Sequence, residues 1–535
     1  MTAAHEEAGA SRRQLLALGL AAAGASLLAA SAQAATDGGG AAIDALAREA
    51  MKAWPDLPGL GLAVVEDGEV SLARGYGVRR MGTDEACDAR TLFGIASNTK
   101  AFTAAALALL VEDGKVEWDA PVTRYLPEFA MSDPEVTRMM TVRDLLTHRS
   151  GLALGAGDLM SWPPGIRTPK EIVAGLRHLP FAYGFRAGYA YDNVLYVTAG
   201  EVIAAVSGMP WERFVAARLL QPIGMTDSAP TWKEADKARL AMPHARLGPP
   251  IRGMGPLRPL RLEGSFAPGF ASGGICACPQ DIAKWLQTQL SLGVAPNGRR
   301  IWSEASAKEM WKPQTIVSSS EGGTADFPVR PSLSAYALGW TVAEHRGERV
   351  IAHTGSLPGY ISATVLLPGR RAGLMVMTNA EEEPVRRTLR YGGADRLQGR
   401  SDYDWIASSR KVKAEEDAET LKTAAAVTTS SGKKPSLPAR AYAGVYRDPW
   451  YGTVTVSTAG EGLRIRFDRT PVLSGPLEPF DGDTWRTRFD DRAQEDAFVS
   501  FEVKDGKVTG ARMKAVSPVA DFSYDYHDLR LKKVG

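Results

Sequence analysis

Ser97-Asn98-Thr99-Lys100, Tyr191-Asp192-Asn193 and His353-Thr354-Gly355 follow one another along the chain. Together they hold the groups for a serine nucleophile whose protons are moved by an amine and a phenol, with no histidine–aspartate relay. Ser97 offers a hydroxyl for covalent attack; Lys100 and Tyr191 offer proton transfer. A free lysine, with a pKa of about 10.4, is protonated at neutral pH and useless as a base. Burial and a neighbouring cation or phenol change that.

Such groups must be positioned by regular elements. Residues 97–113 are rich in Ala and Leu and end at Gly114, which predicts a helix. On it Lys100 lies one turn beyond Ser97, on the same face, and unpaired backbone N–H groups sit beside the nucleophile. The spacing alone is a weak signal, because Ser408/Lys411, Ser430/Lys433 and Ser431/Lys434 share it in polar stretches. The apolar approach Thr91-Leu92-Phe93-Gly94-Ile95-Ala96 sets Ser97 apart. Residues 60–65 and 70–78 alternate as a hairpin around Asp67-Gly68, helical patterns dominate residues 97–225, and strands return at 339–342, 350–353, 362–367 and 373–378. A hairpin, a helical block and returning strands predict an α+β domain. Its antiparallel sheet is built from both ends of the domain, with His353-Thr354-Gly355 on a strand flanking the nucleophile.

Further stretches carry a resemblance: Asp144-Leu145-Leu146-Thr147-His148-Arg149-Ser150-Gly151-Leu152, Gln221-Pro222-Ile223-Gly224-Met225, Gly273-Gly274-Ile275 and Tyr336-Ala337-Leu338-Gly339-Trp340. With the three motifs, they make residues 42–395 resemble the serine β-lactamase-related hydrolases: class C β-lactamases, D,D-carboxypeptidases, D-aminopeptidases and family VIII esterases. The resemblance implies a β-lactamase/penicillin-binding-protein-like catalytic domain and catalysis by Ser97, Lys100 and Tyr191. Beside Lys100, the Tyr191 phenol is expected to have a lowered pKa, to take the Ser97 proton and to pass one to the leaving group. Tyr189 is the fallback. Asn193 is expected to orient Lys100 or hold a substrate carbonyl. By the same resemblance, the backbone N–H groups of Ser97 and Ser356 form an oxyanion hole, with Thr354 beside the substrate and Gly355 permitting close backbone approach. His353 departs from the Lys-Thr-Gly that most β-lactamases and D,D-carboxypeptidases of the family carry. A histidine is mostly neutral at pH 7 and supplies less charge for a substrate carboxylate. His148 is expected to be structural.

At 535 residues the chain is long enough for two or three domains, and 63 basic against 61 acidic residues give no reason to expect a nucleic-acid or acidic-membrane partner. Arg12-Arg13, a Gly/Ala-rich apolar run to about Ala30 and Ala32-Gln33-Ala34 read as a twin-arginine-type export signal over residues 1–34, with a periplasmic or secreted product and no membrane anchor after cleavage. Three cysteines, Cys87, Cys276 and Cys278, are an odd count for a disulfide framework and lack the companions of a metal site; they read as structural thiols. No metal or cofactor is expected, and the partner is a small-molecule or peptide substrate.

Residues 35–400 are assigned to the catalytic domain and 401–439 to a linker, within which residues 411–426 are weakly helical. Residues 440–535 show closely spaced short strands, including 463–467, 498–503 and 507–513, that predict a small antiparallel barrel. It resembles the lipocalin-like domain attached to many members of the family, with a stabilising or oligomerising role. The expectation is an exported serine hydrolase of amides or esters acting through a Ser97 acyl-enzyme, with peptides or D-residue amides first, small esters next and β-lactams as weak substrates. The alternative is a penicillin-binding sensor or binding protein that acylates without efficient turnover. Loops 153–167 and 321–332 are expected to shape the pocket.

Overall fold

The computed structural model describes residues 38–264 and 270–534; the proposed export signal lies outside the described residues. An eight-stranded antiparallel sheet organises the catalytic domain. Its strands are β1 (Gly59–Glu66), β2 (Glu69–Gly77), β3 (Thr315–Ser319), β4 (Leu333–Tyr336), β5 (Thr341–His345), β6 (Glu348–Leu357), β7 (Tyr360–Leu367) and β8 (Ala372–Thr378), arranged β2-β1-β8-β7-β6-β5-β4-β3. β1 pairs with β8, Leu60 opposite Thr378, so strands from the two ends of the domain pair side by side, one place in from the β2 edge.

Side-chain alternation explains why both faces are covered. Leu62 and Val64 of β1, with Leu374 and Val376 of β8, pack against Ile43 and Leu46 of α1 (Gly39–Ala53) and Leu389 of α5 (Glu383–Leu397). Their neighbours Ala63, Val65, Met375 and Met377 face the helical block, including Ile282 and Trp285 of α4 (Pro279–Leu290). At the centre of that block lies α2 (Thr99–Glu112), buried without a break from Thr99 to Leu110. A helix apolar on every side belongs in a core, and its run of alanines lets neighbours approach closely. α3 (Asn193–Ser207) packs in the same block and ends on Gly208 in the left-handed conformation.

Residues 405–428, inside the stretch read as a linker, form one helix, α6 (Trp405–Thr428). Asp404 caps its start by accepting from the Ala407 N–H, and the buried Trp405 donates its indole N–H to Asp395 Oδ2 at 2.8 Å. Beyond it, eight antiparallel strands from Gly444–Asp448 to Leu531–Lys533 close into a barrel, Tyr446 pairing with Lys533. Its interior, which includes Val454, Ile465, Phe467 and Trp485, is continuous with the core of the helical block. No single described helix is long and apolar enough to cross a membrane.

Candidate active site

Ser97 does not open the helix. It sits in the one-turn 3₁₀ segment Ala96–Asn98 just before α2, with Ala96 at φ +51°, a conformation unfavourable for a residue with a Cβ. That bend turns Ser97 out of the core while Asn98 and Thr99 stay buried. Asn98 locks the bend to β7: its Nδ2 donates to Ser362 Oγ at 2.8 Å and its Oδ1 accepts from Thr364 Oγ1 at 2.7 Å. Ser362 Oγ donates in turn to the Ile95 carbonyl at 2.7 Å. The sequence reading missed Ser362 and Thr364 as supports, and their signal was only a pair of hydroxyls at alternate positions of an apolar strand.

Lys100 is fully buried. Its Nζ lies 3.1 Å from Ser97 Oγ, 2.7 Å from Asn193 Oδ1 and 2.9 Å from the Ser272 carbonyl oxygen. The amide and carbonyl oxygens can only accept, so they take two amine protons. The third tetrahedral direction points at Ser97, which can donate to a neutral amine or accept from an ammonium. Burial pulls the Lys100 pKa down to about 7, against an upward pull from Asp158. The rings of Tyr191 and Tyr196 lie 4.7 and 5.2 Å from Nζ.

Tyr191 departs from expectation in one respect. Its hydroxyl is buried near Ser97, but burial pushes the phenol pKa well above its usual value, and the Ser97 contact offsets this only in part. The predicted lowering by an ammonium fails because desolvation dominates and depletes the Lys100 charge as well. Tyr191 is therefore a phenol, not a phenolate. Its oxygen has no hydrogen-bond partner within bonding geometry among the described residues. Tyr189, the fallback, has a raised pKa for the same reason.

His148 supports Tyr191. Its Nδ1 accepts from the Asp192 N–H at 3.0 Å and its ring lies 4.1 Å from that of Tyr191. Burial, with the Lys100 charge adding, holds it well below the ordinary histidine range. His353 is pushed down to about 3, by burial first and then by Lys100. Its Nδ1 lies 2.6 Å from the Thr354 carbonyl oxygen and so carries the proton; Nε2 then accepts from Tyr336 Oη at 2.8 Å. His353 is a neutral group at any working pH.

β6 brings His353, Thr354, Gly355 and Ser356 alongside the nucleophile turn. A Cβ on Gly355 would lie 2.6 Å from the Ile95 carbonyl oxygen and 2.7 Å from Ser362 Oγ, so only glycine fits there. Leu357 and Tyr360 flank the two-residue Pro358-Gly359 turn. Antiparallel pairs alternate, so Ser356, opposite Ile361, turns its N–H away from β7. Two residues without a sequence signal complete the surroundings. Asp158 Oδ2 accepts from Asn193 Nδ2 at 2.8 Å and from Ser523 Oγ at 2.8 Å, and Ser272 supplies its carbonyl to Lys100.

A cleft of about 1070 Å³ opens over Ser97, lined by Tyr191, Asn193, His353, Thr354 and Ser356 among others. Of the two loops expected to shape it, residues 153–167 contribute Leu154, Ser161 and Trp162, whereas no residue of 321–332 lines it. Arg252–Met254, Lys413, Glu416, Asp417, Glu419 and Thr420 of α6, and Val519 with Asp521–Tyr524 after the barrel's seventh strand line it instead. Cys87, Cys276 and Cys278 are buried and unpaired, with burial pushing their thiols up to about 12.

The family model described as "Beta-lactamase" matches residues 43–398, and a domain of unknown function (DUF3471) matches residues 428–533. The chain belongs to the beta-lactamase family. It is 27% identical over 463 residues to the unguisins hydrolase ungD of Aspergillus violaceofuscus, covering 79% of this chain and 77% of that one. Among solved structures, the octameric penicillin-binding protein homologue from Pyrococcus abyssi shares the fold with a TM-score of 0.55 at 22% identity, over 92% of this chain and 99% of that one. The D-amino acid amidase from Ochrobactrum anthropi SV3, complexed with D-phenylalanine, gives 0.52 at 25% identity, over 69% and 99%. Family, fold and hydrolase relatives make this protein a serine hydrolase.

Proposed function

We propose that this protein is an exported hydrolase of amide or ester bonds that works through an acyl-enzyme on Ser97. The observation that carries the reading is the Lys100 amine, buried, with two carbonyl-type acceptors on two of its protons and Ser97 Oγ in the remaining direction. A neutral amine there points its lone pair at the Ser97 hydroxyl and removes its proton as Oγ attacks the substrate carbonyl. The N–H groups of Ser97 and Ser356 face the developing oxyanion. Tyr191, still carrying its proton, donates to the leaving group. The proton that Lys100 took from Ser97 passes to the Tyr191 phenolate, which frees the amine. The amine then takes a proton from a water that attacks the acyl group, the acid leaves, and that proton returns to Ser97 Oγ. Peptides or amides rank first as substrates: the cleft is large for one acyl group, and relatives named as an amidase and an unguisins hydrolase point the same way. Export rests on the residue 12–34 pattern alone.

Purified full-length protein should take up one fluorophosphonate at Ser97, read by intact mass and peptide mapping, and Ser97→Ala should take up none. It should also release p-nitrophenol catalytically from short acyl esters. No adduct from folded protein sinks the assignment; an adduct that never turns over replaces the hydrolase with the acylating sensor.

His353 bears on substrate charge. As a neutral group in the cleft it gives a carboxylate no anchor, so the site should not require one. His353→Lys is expected to raise kcat/KM for carboxylate-bearing β-lactams relative to neutral esters, and the ratio cancels any common loss. An unchanged ratio with both activities intact means that His353 does not read substrate charge.

A further inference from the structure

The loop that holds Asp158 is fastened from the C-terminal barrel domain. Asp525, fully buried, accepts from the Gly157 N–H at 2.7 Å and the Leu159 N–H at 3.0 Å, the residues on either side of Asp158. Ser523, also buried, donates to Asp158 Oδ2, which accepts Asn193 Nδ2 as well, and Asn193 Oδ1 takes a proton of Lys100. A continuous bonded chain thus runs from the barrel domain through Ser523, Asp158 and Asn193 to Lys100 and Ser97. Phe522 adds a wall, its ring 5.8 Å from that of Tyr191. Asp158 is fully buried, and its Oδ1 has no hydrogen-bond partner among the described residues. An acid kept in that condition weakens the fold, which points to a role beyond stability.

We propose that Asp158, held in place by Ser523 and Asp525, is a positioning residue for Lys100, so that the barrel domain completes the active site. The inference rests on the roles given to Ser97 and Lys100 above. Asn193 has a donor end and an acceptor end, and their order decides what Lys100 meets. An ionised Asp158 only accepts, so it selects the amide nitrogen and turns the carbonyl oxygen toward Lys100. That oxygen and the Ser272 carbonyl then take the two amine protons and leave the lone pair for Ser97. The Asp158 charge also raises the proton affinity of Lys100, whereas burial pushes the Asp158 carboxyl itself up to about 7. The Ser523 hydroxyl stabilises the ionised carboxylate. Losing that hydroxyl, or the charge, therefore weakens the Lys100 hold on its proton.

Other groups face the pair. Asp192, Asp521 and Asp525 stand around Asp158. Tyr191, Tyr196, His148 and His353 stand around Lys100. They are common to the enzyme and to variants at 158 and 523, so the difference between pH profiles isolates the Asp158–Lys100 link.

The test measures kcat/KM against pH for a p-nitrophenyl ester in full-length Ser523→Ala, Ser523→Thr and Asp158→Asn, with fluorophosphonate labelling alongside. The acid limb should move to lower pH, by about 1 unit in Asp158→Asn and by less in Ser523→Ala. Ser523→Thr, which keeps a hydroxyl, should return it to the wild-type position. Limbs that stay in place or move to higher pH, in proteins that still label at Ser97, overturn the inference. If Ser523→Ala loses its cooperative thermal transition, the limb of Asp158→Asn decides alone. Failure of the wild type to label overturns the nucleophile assignment instead, and this inference with it.

Discussion

Replacing Lys100 with methionine should slow acylation of Ser97 by roughly 10²–10⁴-fold, the range a general base supplies. That is about 3–5 kcal/mol of activation free energy. Methionine keeps the chain's bulk and removes the nitrogen. The folded state loses donors to Asn193 Oδ1 and the Ser272 carbonyl, each hydrogen bond contributing about 1 kcal/mol. It no longer buries an amine, which offsets part of that loss. The melting temperature should therefore move little beside the collapse in rate. The wild type supplies the companion measurement. Burial depresses the Lys100 pKa to about 7, so the amine is protonated and inactive below that pH and free above it. Labelling by a fluorophosphonate should rise with pH through the neutral region, and the rise should vanish in the variant. A methionine variant that labels within tenfold of wild type removes Lys100 as the base.

The second large effect is expected from a single methyl group at Gly355. The added Cβ meets the Ile95 carbonyl oxygen, Ser362 Oγ and, at 2.9 Å, the Ala96 Cβ. These atoms belong to the nucleophile bend and to the strand that clamps it, so the neighbours cannot yield independently. Either β6 moves with Ser356, or the bend moves with Ser97. A displacement of about 1 Å in such a site costs on the order of 10²-fold in rate. Overpacking costs about 1–3 kcal/mol of stability. Gly355→Ala should lower kcat far more than it raises KM, with circular dichroism unchanged. Wild-type turnover in that variant rules out an oxyanion donor on this strand.

The parts legible in the sequence were those written in local pattern. The Asp67-Gly68 hairpin, the Ala-rich helix behind Ser97 and the strand carrying His353 follow from turn chemistry and periodicity. The Ser97 and Tyr191 motifs lie at helix starts and His353-Thr354-Gly355 lies within a strand beside them, so packing of these elements brings the three together. What the sequence concealed is set by partners distant in the chain. Asp158 lies in an irregular loop, and nothing near it announces Asn193 or Ser523. The pKa of Tyr191 was misjudged because a pairwise charge argument omits desolvation, which only the packed structure supplies. Short strands such as Thr315–Ser319 and Thr484–Thr487 carry too few residues for alternation to stand out.

The pairing of β1 with β8 also governs when this molecule becomes a folded protein. A ribosome delivers β1 early, yet its neighbour on one side arrives only after the helical block, the nucleophile helix and six further strands of the sheet have been made. That ladder therefore cannot close during most of synthesis, and loop-closure entropy must be met before the contact is formed. Until then β1 has only its hairpin partner, and its apolar residues need shelter from other chains. The sheet should thus close slowly and only late in synthesis, with yield limited by aggregation rather than by the stability of the finished enzyme.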